Sequence, residues 1–288
     1  MGNSNLKKAE KGAMISILAY VVLSAFKLIM GYIGHSEALK ADGLNNLTDI
    51  MASLAVLVGL RIAQKPPDEN HRYGHSRAET IASLVAAFIM ISVGIQVITG
   101  SVKAFFNPDE TTPDIMTAFV ALASALFMFG IYRYNLRLSK KLNNKSLYSA
   151  AQDNRSDALV SVGATIGIAG SYFGIGWLDS LTAVIVGFII CYTAWEIFKD
   201  AALDLTDAFE VSKLKEIEET IRNTPGVKLV KDIKARLHGN RAIVDATIFV
   251  EPTLTVIEGH QIAEDVEDRL LENHQINDST IHIEPQLS

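Results

Sequence analysis

Cysteine is almost missing from this sequence: 288 residues hold one, Cys191, inside an apolar run. A single thiol forms no intrachain disulfide and builds no thiolate metal site alone. Basic excess is missing too. Lys and Arg number 26 against 32 Asp and Glu, a net charge of −6, and no basic stripe offers itself to a nucleic acid. No GxxxxGK[ST] loop occurs to cradle a nucleotide phosphate. What abounds is apolar. Hydrophobic residues make up 49 % of the chain, and mean hydropathy is +0.23. Residues 12 to about 200 carry nearly all the long apolar runs, while 201–288 is charged and ordinary for a soluble segment. The composition step near Asp200–Asp207 divides the chain into a membrane domain, 1–206, and a soluble domain, 207–288.

A bilayer-crossing helix needs about 20 largely apolar residues. Six stretches qualify, at about 12–33, 38–62, 80–102, 114–136, 146–172 and 177–199. The polar segment before the first carries Lys7, Lys8 and Lys11, and the run after it lacks a small-residue cleavage site, so it reads as a retained span. Positive charge falls on alternate connections. Arg61, Lys65, Arg72 and Arg77 surround the second, Arg133, Arg137, Lys140, Lys141 and Lys145 fill the fourth, and Lys199 follows the sixth span. The other connections hold only Lys40 and Lys103, beside Glu37, Asp109, Glu110 and Asp114. Because positive charge collects on the cytoplasmic side, both termini are expected in the cytoplasm, and the bacterial plasma membrane is the expected location.

The soluble segment changes period. Lys213–Arg222 has helical spacing and ends at Pro225-Gly226, and Val227–Leu237 and Ala242–Val250 read as strands. Thr255 caps a helix to about Glu272, with Glu258 completing a capping box, and Ser279–Glu284 alternates as a last strand. The order α-β-β-α-β predicts a small cytoplasmic α+β domain, ferredoxin-like or metallochaperone-like, behind an all-α six-helix membrane bundle.

Polar residues interrupt the spans. The clean apolar run Ile50–Leu60 is too short to cross, so the second helix must extend back through Asp42, Asn45, Asn46 and Asp49. Asn45 and Asp49 then share a helical face. An ionisable group at that depth costs about 2.5–3.5 kcal/mol on the insertion scale and by default marks an ion or proton pathway. The bland alternative starts the helix at Ile50 and leaves Asp49 among the headgroups. Asp153 and Asp157 repeat the i, i+4 pairing in the fifth span, with Gly163, Gly167, Gly170 and Gly174 following at small-xxx-small spacing. Their alternative is a pair of N-terminal helix charges favoured by the dipole. Side by side, the two helices would offer one amide oxygen and three carboxylates, which suits a hard divalent ion.

With Asn45-xxx-Asp49, Asp153-xxx-Asp157 and Asp68-Glu-Asn-His71-Arg-Tyr-Gly-His75 in place, the chain resembles the cation diffusion facilitator family of metal exporters over nearly its whole length. The resemblance implies a homodimer that exchanges metal for protons by alternating access, with Asn45, Asp49, Asp153 and Asp157 as the transport site. Zinc exporters of the family typically carry His at the position of Asp153 and Asp or His at that of Asn45. An all-oxygen site lacks the imidazole that suits Zn²⁺ and better matches Mn²⁺, the pattern that manganese exporters of the family show. The expected cargo is therefore Mn²⁺ ahead of Zn²⁺ or Fe²⁺. Carboxylates crowded at low dielectric hold protons when metal is absent, and metal binding releases them, so exchange needs no nucleotide and no cofactor.

Asp68, His71 and His75 offer a second metal site in the loop, with the histidines at i, i+4 able to share a helical face, although a solvated loop is the plain alternative. Arg77 matches the family position for a basic residue that pairs with an acid at the junction with the soluble domain, here Asp207, as a hinge contact worth about 0–1 kcal/mol. In the soluble domain the candidate ligands are His260, His282 and Glu284. Where relatives carry two further histidines this sequence has Lys231 or Asp232 and Thr247, with His238 and Asp245 nearby but out of register. An enzyme is not expected. An intramembrane aspartyl protease would want a Gly-x-Gly-Asp motif, and Gly174-Ile-Gly176-Trp-Leu-Asp179 misses that spacing. A non-transporting membrane metal sensor is the rival that flux alone separates.

Overall fold

The computed structural model describes residues 3–106, 112–142, 145–239 and 241–286. Asp109 and Glu110 lie outside the described residues, and for Lys7, Lys8, Lys11 and Lys145 only the backbone is described. Six long helices come first: α1 (Asn3–Ile33), α2 (Glu37–Ala63), α3 (Ala78–Phe106), α4 (Ile115–Leu142), α5 (Lys145–Tyr172) and α6 (Leu178–Leu205). Helix α7 (Val211–Arg222), strands β1 (Leu229–His238) and β2 (Arg241–Val250), helix α8 (Val256–His274) and strand β3 (Asp278–Pro285) follow, in the α-β-β-α-β order expected. Two compact units result, one of residues 1–55 with 85–197, the other of 56–84 with 198–288.

Among the described residues, four helices are long and apolar enough to cross a membrane: Glu37–Ala63, Ala78–Phe106, Ile115–Lys141 and Leu178–Leu205. The apolar part of α1 that is described, Ile17–Ile33, is shorter. In the first unit burial runs opposite to a water-soluble protein. Phe119, Leu126, Phe127, Ile166 and Phe188 point outward, while Lys27, Asp42, Asn46, Asn154 and Ser161 are buried. Apolar outside and polar inside is the arrangement a hydrocarbon solvent selects. Small residues let the helices close. Ala41, Ala183, Val186 and Ile190 form one core patch, and Ala121, Ala164 and Ile168 belong to another. Of the small-xxx-small glycines, Gly167 and Gly170 lie so near α6 that a methyl group would meet Thr182 or Leu178, whereas Gly163 has open space.

The start of α2 decides between the two sequence readings of Asp49. Asp179 accepts from the Glu37 backbone N–H at 2.6 Å and from the Ser36 hydroxyl at 2.7 Å, and Ser36 Oγ accepts from the Leu39 N–H at 3.1 Å. An anion at these otherwise orphaned donors stabilises a helix beginning, so α2 starts at Glu37 and Asp49 lies well inside it. Asp153 and Asp157 are likewise interior, because α5 begins at Lys145.

In the second unit the sheet order is β1-β2-β3, with β1 antiparallel and β3 parallel to β2. Alternation along β2 puts Val244, Ala246, Ile248 and Val250 into a core with Ile217, Ile221, Val266 and Leu270. The capping box forms: Thr255 Oγ1 accepts from the Glu258 N–H, and the Thr255 N–H donates to Glu258 Oε2 at 2.7 Å. Gln275 in the left-handed region ends α8.

Candidate metal transport site

Three helices bring the oxygen donors of the first unit together. Asn45 on α2 donates its amide N–H to Asp157 Oδ1 on α5 at 3.0 Å, and the two residues are 7 % and 6 % exposed. Tyr20 on α1 donates its hydroxyl to Asp157 Oδ2 at 2.5 Å. One turn along from Asn45, Asp49 keeps a buried Oδ2 with no hydrogen-bond partner. It feels the like charges of Asp157, Asp153 and Asp42 and the opposite charge of Lys27. Asp153, at the open side of the cluster, is exposed. The three carboxylates do not close to the separation of ligands on a single ion; Asn45 and Asp157 touch, and Asp49 and Asp153 stand around them. A buried acceptor without a donor costs about 1–3 kcal/mol or more, so this oxygen stands out among the polar groups of the bundle.

A second tier adjoins this one. Lys27 Nζ donates to Asn46 Oδ1 at 2.7 Å and to Ser161 Oγ at 2.9 Å, and lies 2.9 Å from Asp42 Oδ1. The Lys27 and Asp42 side chains are both 0 % exposed. Sequence reasoning passed over Tyr20, Lys27 and Ser161. The signal for Lys27 was present, since a lysine inside an apolar span is costly and by default functional; Tyr20 and Ser161 are ordinary residues of a packed helix and carried none.

The second unit holds the other candidates. Asp68, His71 and His75 converge, with one ligand atom from each within 4.8 Å of the others, the one such group of three among the described residues. His71 Nδ1 lies 3.1 Å from Asp68 Oδ1, and His75 Nε2 3.3 Å from Asp68 Oδ2. The histidines do not share a helical face. The segment is a loop, turned where Asp68 Oδ1 accepts the His71 N–H at 2.7 Å and the Asn70 N–H at 3.0 Å, and where Gly74 takes a φ of +83°. The His71 backbone N–H, followed by the His71 ring and the Asn70 N–H, holds the Asp68 carboxyl below the usual carboxylate range. Arg77 Nη2 meets Asp207 Oδ1 at 2.6 Å, the pairing expected from sequence.

In the α+β domain the three candidate ligands do not form one cluster, although His282 and Glu284 are neighbours. His260 lies 3.4 Å from Glu264 on its own helix. Glu284 accepts two bonds from Lys231 Nζ, at 2.8 and 2.7 Å, and His282 is 3.8 Å from it. An ammonium thus stands on the carboxylate where relatives were expected to supply an imidazole.

Residues 13–206 match the model of the cation efflux transmembrane domain, and residues 210–286 that of the cation efflux protein cytoplasmic domain. The chain is 52 % identical over 251 residues to the manganese efflux system protein MneS of Bacillus subtilis, covering 87 % of each. It is 52 % identical over 252 residues to the uncharacterized transporter YdbO of that organism, covering 88 % of this chain and 87 % of the relative. The manganese efflux system protein MneP, also from Bacillus subtilis, is 29 % identical over 264 residues, covering 89 % of each. The chain belongs to the cation efflux, or cation diffusion facilitator, family and is a membrane protein that exports metal cations.

Proposed function

We propose that this protein exports Mn²⁺ in exchange for protons, by alternating access at Asn45, Asp49, Asp153 and Asp157. The carrying observation is the direct bond between the buried side chains of Asn45 on α2 and Asp157 on α5, beside the unpartnered Oδ2 of Asp49. The donor set is all oxygen, and such ligands suit Mn²⁺ better than an imidazole-containing set does. Two similar proteins named as manganese efflux systems support the same cargo. Since Zn²⁺ generally binds N/O sites more tightly than Mn²⁺, selectivity rests on geometry and on which ion is available. The working unit is a homodimer in the bacterial plasma membrane with both termini cytoplasmic, as the family resemblance and the alternating positive charge imply. Asp68, His71 and His75 form a second metal site in the loop, and the pair Arg77–Asp207 is a hinge contact.

Flux tests the proposal. Protein in liposomes loaded with a metal-sensitive dye is offered Mn²⁺, Zn²⁺, Fe²⁺ and Cd²⁺ separately, with and without an imposed pH gradient. Mn²⁺ flux should lead, respond to the gradient, and fall by about 100-fold or more in Asp49→Ala and in Asp157→Ala, beyond the effect of losing a supporting group. Equal or faster Zn²⁺ or Fe²⁺ flux would remove the manganese assignment, and indifference to the gradient would remove proton exchange. No flux for any ion would favour a sensor.

A further inference from the structure

The second tier repeats the design of the first. Helix α2 presents Asn45 and Asp49 to one tier and Asp42 and Asn46, one turn back, to the other. Helix α5 presents Asp157 to the first and Ser161, four residues on, to the second, while α1 contributes Tyr20 and then, two turns later, Lys27. In each tier, polar side chains of α2 and α5 come together. In the second they surround an ammonium whose three nearest oxygens lie 2.9, 2.7 and 2.9 Å away.

Two hydrogen bonds and one ion pair hold the ammonium, yet they do not satisfy the tier. No hydrogen bond reaches either Asp42 oxygen, the 2.9 Å approach of Lys27 being an ion pair, and Asn46 Nδ2 is buried without a partner. Among the described residues Asp42 has no ion pair but this one, so the buried carboxylate depends on that ammonium. A carboxylate, an amide oxygen and a hydroxyl carry one negative charge together. They fit one monovalent cation, and ammonium and K⁺ are close in size.

We propose that Lys27 is a tethered cation, permanently occupying an oxygen-lined position next to the transport site that would otherwise bind a free monovalent ion. The lysine withholds Asp42 and Asn46 from the transported metal and makes transport independent of K⁺ and Na⁺. It acts as a specificity-determining residue without touching the cargo. The proposal rests on the transport-site reading above for its meaning, though its own site is separate.

The test uses the full-length protein, in detergent for melting and binding and in liposomes for flux, with Mn²⁺, K⁺ or Na⁺ as probe against N-methylglucamine. Wild type should show the same apparent Tm in K⁺ and in N-methylglucamine. Lys27→Met should melt lower, regain about 3 °C or more in K⁺, and show Mn²⁺ flux that now depends on K⁺. Lys27→Met with Asp42→Asn removes both charges, and should lose the K⁺ effect. A Lys27→Met protein indifferent to K⁺ and Na⁺ overturns the proposal, as does one that binds a second Mn²⁺ in the vacated tier. If Lys27→Met does not fold, Asp42→Asn decides. There the ammonium remains without its carboxylate, and Mn²⁺ affinity at the neighbouring site should fall about tenfold by repulsion; unchanged affinity overturns the proposal. Asp49→Ala separates the two readings. If it leaves Mn²⁺ binding intact, the transport site is misplaced, while K⁺ dependence in Lys27→Met would still stand.

Discussion

Twice this chain sets a lysine ammonium on a carboxylate, and the two settings differ in nearly everything but distance. Lys27 and Asp42 are 2.9 Å apart with side chains 0 % exposed; Lys231 and Glu284 are 2.7 Å apart with side chains 48 % and 30 % exposed. The first pair is sealed inside the helix bundle, so each member is costly alone. The second stands in solvent, where either member is hydrated when the other leaves. The contrast shows how to weigh polar residues elsewhere in the molecule. In the membrane unit a buried oxygen has no water to turn to, so the unpartnered Oδ2 of Asp49 carries weight in the proposed transport site. In the α+β domain His260 and His282 are exposed, and side chains that water can satisfy point to nothing by themselves.

Breaking the buried pair from its acidic side should give the largest difference. Asp42→Ala leaves Lys27 charged and without its carboxylate, a change that costs about 3–5 kcal/mol where a buried pair is broken. Glu284→Ala should cost no more than about 1 kcal/mol. Thermal melts of both variants in one detergent check this. Equal losses would mean that water reaches Lys27, and the comparison would fail.

Tyr20→Phe sharpens the same contrast at the transport site. Its hydroxyl bonds Asp157 Oδ2 and fixes how that carboxylate presents Oδ1. Partners of this kind typically carry 10- to 100-fold in metal affinity or activity, so Mn²⁺ flux should drop by about that factor with the fold intact. A variant with wild-type flux would leave the hydroxyl as packing only.

How much of this was legible depended on whether a residue's meaning was local. The period of β2 and the capping box at Thr255 follow from neighbours in sequence and appear as read, and of the six expected spans four described helices are long and apolar enough to cross. Asn45, Asp49, Asp153 and Asp157 were legible as polar interruptions of apolar runs, though not how far they converge. Asp179 was weighed only as a failed protease motif; its work, fixing the start of α2 through Ser36 and Glu37 from 142 residues beyond Glu37, has no local sign. The loop was half legible. Its three ligands are adjacent in sequence, but an Asx turn and a left-handed Gly74 gather them where helical spacing was expected. Lys27 was in plain view inside the first span, and only its partners, from α2 and α5, give it a role.

His238 tests the comparison with a partly buried group in the second unit. Burial, then the nearby charges of Arg77 and Arg241, push its pKa below the ordinary histidine value. A group depressed on folding contributes stability above its unfolded pKa, near 6.5, and loses it as pH falls through the folded value. Hydrogen exchange along 229–238 should therefore show protection lost as pH falls below about 6.5, over and above the intrinsic rate change. His238→Gln should flatten that dependence. An unchanged pH profile would assign the loss to other groups.

The smallest effect belongs to Lys231. Its ammonium bonds Glu284 through both oxygens and sits 5.5 Å from the Phe249 ring centroid, so Lys231→Ala removes an ion pair and a cation–π contact together. Both are exposed. The loss should be at most about 1 kcal/mol, and its ionic part should fade between low and high salt, because a Debye length near 8 Å at physiological ionic strength shrinks to about 3 Å at 1 M. Unfolding of wild type and variant at the two ionic strengths measures this directly. A larger loss that persists in high salt would mean that Lys231 staples β1 to β3 much as a bound metal would. The α+β domain would then have its own tethered cation, and the distinction between the two lysines would be one of place and not of kind.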